Sequence, residues 1–129
     1  MKTFTLIFGA VYGLLSIILG AFGAHAFKKI LSTERLESFE TGVRYQMYAA
    51  FFLLFVGYIL KFDTGSEKAI SWLMILGTIL FSFSIYFLSF QETWGVNLKF
   101  LGPITPLGGL MMIISWGLLI WYFAKVKLQ

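Results

Sequence analysis

From Phe4 to Ala24 the chain carries no charged residue. A helix of about 20 residues, rising 1.5 Å per residue, crosses a hydrocarbon core of about 30 Å. The rest of the sequence offers little with which to hide such a segment from water. Of its 129 residues, 59% are hydrophobic, 19% aromatic and only 12% charged. A soluble domain of this size carries about a quarter charged residues. The chain therefore reads as an integral membrane protein. Three further apolar runs, 45–60, 69–90 and 106–124, complete a single all-α domain over 1–129, an antiparallel four-helix membrane bundle.

One competing reading concerns the first run. Lys2, the apolar stretch and Ala24-His25-Ala26 resemble a secretory leader with an A-x-A cleavage site. The apolar stretch is longer than a usual leader core, so a retained first span is expected.

Small residues mark where that span packs. Gly9 and Gly13 form a G-x-x-x-G pair, and Gly20 with Ala24 forms a second small pair. In lipid, small side chains let helix backbones approach closely. The span closes on Gly20-Ala21-Phe22-Gly23-Ala24-His25, which holds the only histidine. Between it and span two lies the most charged part of the chain. Leu36, Phe39 and Val43 recur there among polar residues, which predicts a short amphipathic helix. That helix either lies at the interface or extends span two, with Ser32 or Thr33 as its N-cap. Glu40 and Arg44 stand at i, i+4 and are expected to form an ion pair, with a lipid phosphate as the alternative partner of Arg44.

Span two opens on Tyr45 and Gln46, Tyr45 fitting an interfacial aromatic belt. The polar turn 61–68 is short enough to make spans two and three antiparallel neighbours. In span three Ser71, Thr78, Ser82 and Ser89 share a face, with Tyr86 close by. Such hydroxyls bond to their own helix or across to a neighbour, so they read as packing groups before a transport path. A polar and aromatic loop over 91–101 leads to Gly102-Pro103-Ile104-Thr105-Pro106-Leu107-Gly108-Gly109, which contains both prolines. It is expected to be a structured entry turn packed on neighbouring helices, with Pro106 near the first turn of span four. Lys125 and Lys127 anchor the exit of that span.

Four spans return both termini to one side. The other side collects Gly20, Gly23, His25, Glu40, Arg44, Tyr45 and Gln46, joined by Ser82, Tyr86, Gly102, Pro103, Thr105 and Pro106 from spans three and four. These thirteen positions form the candidate functional face. Lys2, Lys61, Lys68, Lys125 and Lys127 balance Lys28, Lys29, Arg35, Arg44 and Lys99, so the positive-inside rule assigns no orientation.

Four of these stretches resemble a small bacterial inner-membrane family, domain of unknown function 423, with YgdD-like and YwdK-like members. They are Gly20–His25, Tyr45-Gln46-Met47-Tyr48, Phe81–Tyr86 and Gly102–Gly109, and the resemblance spans nearly the whole chain. It implies a four-helix inner-membrane protein and no particular activity. Family members commonly carry a histidine after the second motif, where this chain has Ala49. A site built on two imidazoles would be incomplete here.

The inventory for catalysis is thin. There is no cysteine, and no acidic residue lies within a predicted span. One histidine with loop carboxylates is too little for a metal site, and no cofactor is expected. His25 reads as a hydrogen-bonded structural residue at a helix end, with a proton handle as the sharper alternative. No basic cluster is dense enough for nucleic acid. The expectation is a non-enzymatic accessory or structural component that meets lipid, itself or a larger membrane complex. The alternative is a small transporter or channel with a water-filled cavity near His25, Ser82 and Thr105.

Overall fold

The computed structural model describes residues 1–126. Lys127 lies outside them. Among the described residues there are helices and turns and no strand, and four helical stretches are long and apolar enough to cross a membrane.

Helix α1 (Lys2–Ala24) covers the first apolar run and ends where the His25 backbone N–H folds back to Phe22 O at 3.3 Å. A short 3₁₀ turn follows at Phe27–Lys29. Helix α2 (Thr33–Ile59) is longer than the expected second span. Ser32 caps it, its Oγ accepting from Arg35 N at 3.2 Å. The amphipathic segment is thus the start of α2, not a separate element between helices. No glycine or proline breaks the chain between Thr33 and Thr41, and Phe39 and Gly42 bury the inner face.

The third span is composite. Helix α3 (Gly65–Thr78) opens on a capping box: Thr64 Oγ1 accepts from Glu67 N, and the Glu67 carboxylate accepts from the N–H groups of Lys61, Phe62 and Thr64. A π-helical turn, Ile79–Phe83, then leads into α4 (Ser84–Ser89). Periodicity gave no sign of this interruption. Helix α5 (Gln91–Trp94) and a 3₁₀ turn at Lys99–Leu101 lie within the expected loop. Helix α6 (Ile104–Lys125) has Pro103 as its N-cap and Pro106 in its first turn. A missing N–H is harmless there, because the first turn has no intrahelical acceptor for it. The expected entry turn is therefore confined to Gly102 and Pro103, and Ile104 to Gly109 already lie within the helix, with Pro106 in its first turn as expected.

Contacts fix the arrangement. Lys2 Nζ donates to Tyr58 O and Leu60 O, while Gly23 packs on the Phe39 ring, so α1 and α2 run antiparallel. Ser82 Oγ reaches Gly42 O and Ser115 Oγ reaches Ile70 O, so the third span runs antiparallel to α2 and to α6. The core lies between α2 and the third span, around Leu53, Val56, Ile70, Met74 and Ile75. Helices α1 and α6 flank it and leave most of their apolar surface to lipid. Ile17, Ile113 and Ile120 are each more than 60% exposed, which a membrane tolerates and water would not.

Candidate functional site

The sequence proposed one face; the structure separates it into a buried polar seam, an aromatic floor and an exposed rim. The seam is built on Gln46, which is fully buried. Tyr86 Oη donates to Gln46 Oε1 at 2.6 Å, and Gln46 Nε2 donates to Tyr12 O at 3.0 Å. Tyr12 Oη in turn donates to Ile75 O at 2.7 Å. One turn away, Ser82 Oγ donates to Gly42 O at 2.8 Å. The Tyr86 ring lies against Gly42, where a Cβ would meet Cε1 at 2.8 Å. This seam holds α1, α2 and the third span together with buried hydrogen bonds, which hydrocarbon cannot replace with water.

Other hydroxyls are consumed in the same way. Thr5 and Ser71 share a 2.6 Å hydrogen bond, Thr78 and Ser89 donate to Met74 O and Ile85 O, and Ser84 Oγ meets Thr105 Oγ1 at 2.5 Å. The hydroxyls of span three bond to their own helix or across to a neighbour, as their spacing suggested. Ser16 is the exception: its buried Oγ has no partner among the described residues. Its usual acceptor one turn back, Tyr12 O, already accepts from Gln46.

Below the seam sits an aromatic cluster. Phe39 packs within 6.0 Å of Phe27, Tyr86 and Phe90, and Phe90 stacks on Trp94. Arg35 forms an ion pair with Glu92, which ties α5 to the start of α2. The Arg35 side chain, bonded to Glu92, holds that carboxyl below the ordinary carboxylate range.

The remaining predicted positions form the rim. Gly20 is half-buried against Val43. His25 is exposed, and among the described residues its side chain makes no hydrogen bond. It does not join the seam, which corrects the expectation of a hydrogen-bonded structural histidine at the helix end. Ala24 and His25 lie at the end of α1, outside Gln46's network, where the His25 backbone N–H bonds to Phe22 O. The Glu40–Arg44 ion pair does not form. Arg44 Nη2 instead donates to Thr41 Oγ1 at 3.1 Å; an exposed pair gains too little to fix two long side chains. Tyr45 is exposed, its ring 5.3 Å from Phe81. Gly102, Pro103 and Pro106 are exposed at the entry of α6, and Thr105 is half-buried on Ser84. Among the described residues no three His, Cys, Asp or Glu side chains cluster as a metal would need.

Sequence reasoning passed over Tyr12, Gly42, Gly77 and Thr41. Tyr12 had a visible signal, a phenol in the middle of an apolar span, where a buried hydroxyl needs a partner. Gly77 and Gly108 meet where the third span packs on α6; Gly77 is a single glycine with no paired spacing to advertise it, and Gly108 was read as part of the entry turn.

Four apolar helices, antiparallel, joined by buried hydrogen bonds and small-residue contacts, define a compact polytopic membrane protein. The chain belongs to the family described as "Protein of unknown function (DUF423)", whose model matches residues 19–109. It is 42% identical over 118 residues to the UPF0382 membrane protein YwdK of Bacillus subtilis, covering 90% of this chain and 91% of that one. It is 38% identical over 120 residues to a UPF0382 membrane protein of Staphylococcus haemolyticus, covering 93% of each. A third relative, from Staphylococcus saprophyticus, is 34% identical over 120 residues, covering 93% of this chain and 95% of that protein. No solved structure matches the chain.

Proposed function

We propose that the protein is a non-enzymatic accessory or structural component of a bacterial inner membrane, working through its lipid-facing surfaces. One observation carries this reading: the polar side chains inside the bundle, Ser16 excepted, are spent on internal partners. Gln46, Ser71, Thr78, Ser82 and Ser115 are fully buried, each with an internal hydrogen-bond partner. What the spans offer outward is aromatic and aliphatic, including Tyr48, Phe51 and Trp116. Surfaces of that kind associate with lipid, with another copy or with a larger complex.

Crosslinking in native membranes, followed by mass spectrometry in mild detergent, tests it. Retained lipid, a second copy or a defined partner is the expected result. Dispersed monomers that hold no lipid overturn the reading. The transporter alternative predicts water at Ser82, so reaction of Ser82→Cys with a membrane-impermeant thiol reagent from either side would favour it instead.

A further inference from the structure

Two pairs of helices in this bundle are drawn together by small residues. Gly9 and Gly57 bring α1 onto α2, and Gly77 with Gly108 brings the third span onto α6. The boundary between α2 and α6 has no such seam. Its contacts are bulky rings, Phe52 on Trp116 at 4.6 Å and Phe55 near Phe123 at 6.4 Å. Large side chains hold the two backbones apart and leave an apolar groove facing the membrane. One part, of about 430 Å³, is lined by Thr41, Tyr45, Phe81, Gly109, Ile113 and Trp116. The next part, of about 460 Å³, runs from Tyr48 and Trp116 towards Phe123. Trp116 lines both.

The mouth of the groove carries a cation. Thr41 Oγ1 donates to Glu37 O at 3.0 Å and accepts from Arg44 Nη2, which places the guanidinium beside the opening. Among the described residues the other Arg44 N–H groups meet no acceptor, and Glu40, one turn nearer water, makes no ion pair with it. Depth agrees with this. From Arg44 to Leu60, where Lys2 marks the opposite boundary, α2 rises about 24 Å. Arg44 therefore stands near the headgroup level of a bilayer whose hydrocarbon is about 30 Å thick. A planar guanidinium with open donors suits a phosphate diester, and the groove beneath it suits an acyl chain.

Resting on the accessory, lipid-associating reading above, we infer that the α2–α6 groove seats one glycerophospholipid, with its phosphate on Arg44 and an acyl chain along Trp116. The full chain in non-ionic detergent, with Trp72, Trp94 and Trp121 changed to Phe, leaves Trp116 as the only indole. Titration with phosphatidylglycerol brominated on its acyl chain is expected to quench Trp116 saturably, near one lipid per protein. Arg44→Gln weakens that binding about tenfold, the scale of one charge-assisted contact. Lys68→Gln, an equal loss of charge at the other end, leaves it unchanged. Brominated diacylglycerol, which lacks the phosphate, binds about tenfold more weakly than phosphatidylglycerol. Equal quenching by the two lipids, or equal binding by the Arg44→Gln variant, overturns the inference. So does a disulfide-linked dimer of Ile113→Cys that blocks quenching, which would give the groove to a second copy and leave the accessory reading standing. The absence of lipid, second copy and partner alike would remove both.

Discussion

Ser16 is buried with an orphaned hydroxyl because Gln46 holds the carbonyl to which it would otherwise donate. An unsatisfied buried hydroxyl costs about 1–3 kcal/mol. Ser16→Ala is therefore expected to raise stability by about 1 kcal/mol, read as resistance to unfolding in mixed detergent. Loss of stability would mean that the hydroxyl serves a partner. Gly108 shows the opposite sensitivity. A Cβ there would lie 2.4 Å from Phe81 N and 2.6 Å from Gly77 O, both backbone atoms that no rotamer can move aside. Gly108→Ala should cost at least about 2–3 kcal/mol, since the helices must part. Gly117 lies in the same helix with nothing within 4 Å of an added Cβ. Gly117→Ala should be neutral or stabilise by about 0.5–1 kcal/mol through helix propensity. The same measurement checks both, and equal effects would show that α6 does not pack on the third span in this register. Sequence alone could not rank these two glycines, because the ranking depends on which backbone passes each one.

The elements were legible to different degrees, for physical reasons. The first and last spans were read within a few residues, because uncharged apolar runs have sharp ends at Lys2, His25 and Lys125. Helix α2 was read short, because its charged start looks unlike a membrane segment although the helix continues unbroken from Ser32. The π turn at Ile79–Phe83 left no trace in composition. It lies where Gly108 of α6 passes against the Phe81 backbone, and a π turn holds an extra residue without a special sequence. Among charged pairs, the local one at Glu40 and Arg44 was visible in spacing but does not form. The pair that does form, Arg35–Glu92, joins residues far apart in the chain. It also carries a pH dependence. The carboxyl of Glu92 is lowered by Arg35. A lowered folded value means that the tether is present above the ordinary carboxylate range. It is lost as pH falls through the folded value. Acidification should therefore free α5, seen as faster motion of a spin label at Asn97, while Arg35→Gln should give that motion already at neutral pH. A label equally mobile at all pH values in the unaltered protein would show that the pair does not restrain α5.

At the scale of the molecule, the candidate face became a layered arrangement. Its buried members, Gln46, Ser82 and Tyr86, form one network, whereas His25 lies on the rim. The glycine-rich end of α1 and the proline-rich entry to α6 do lie at one end of the bundle, as four antiparallel spans require. Gly23 rests on Phe39, Phe39 on Tyr86, and Ser84 on Thr105, so a continuous chain of contacts leads from one to the other. Charge cannot say which compartment this side meets, but it does not need to. The chain has no cysteine of its own, so single cysteines report position without interference. Cysteines at Asp63 and Lys68 should be labelled by an impermeant reagent from one side of sealed vesicles. Cysteines at Glu37, Asn97 and Gly102 should be labelled only from the other. Each helix crossing reverses the chain, so a crossing lost from α2 or from the third span would make Glu37 and Asn97 disagree. That disagreement would break the antiparallel bundle and separate Arg44 from the α6 side of its groove.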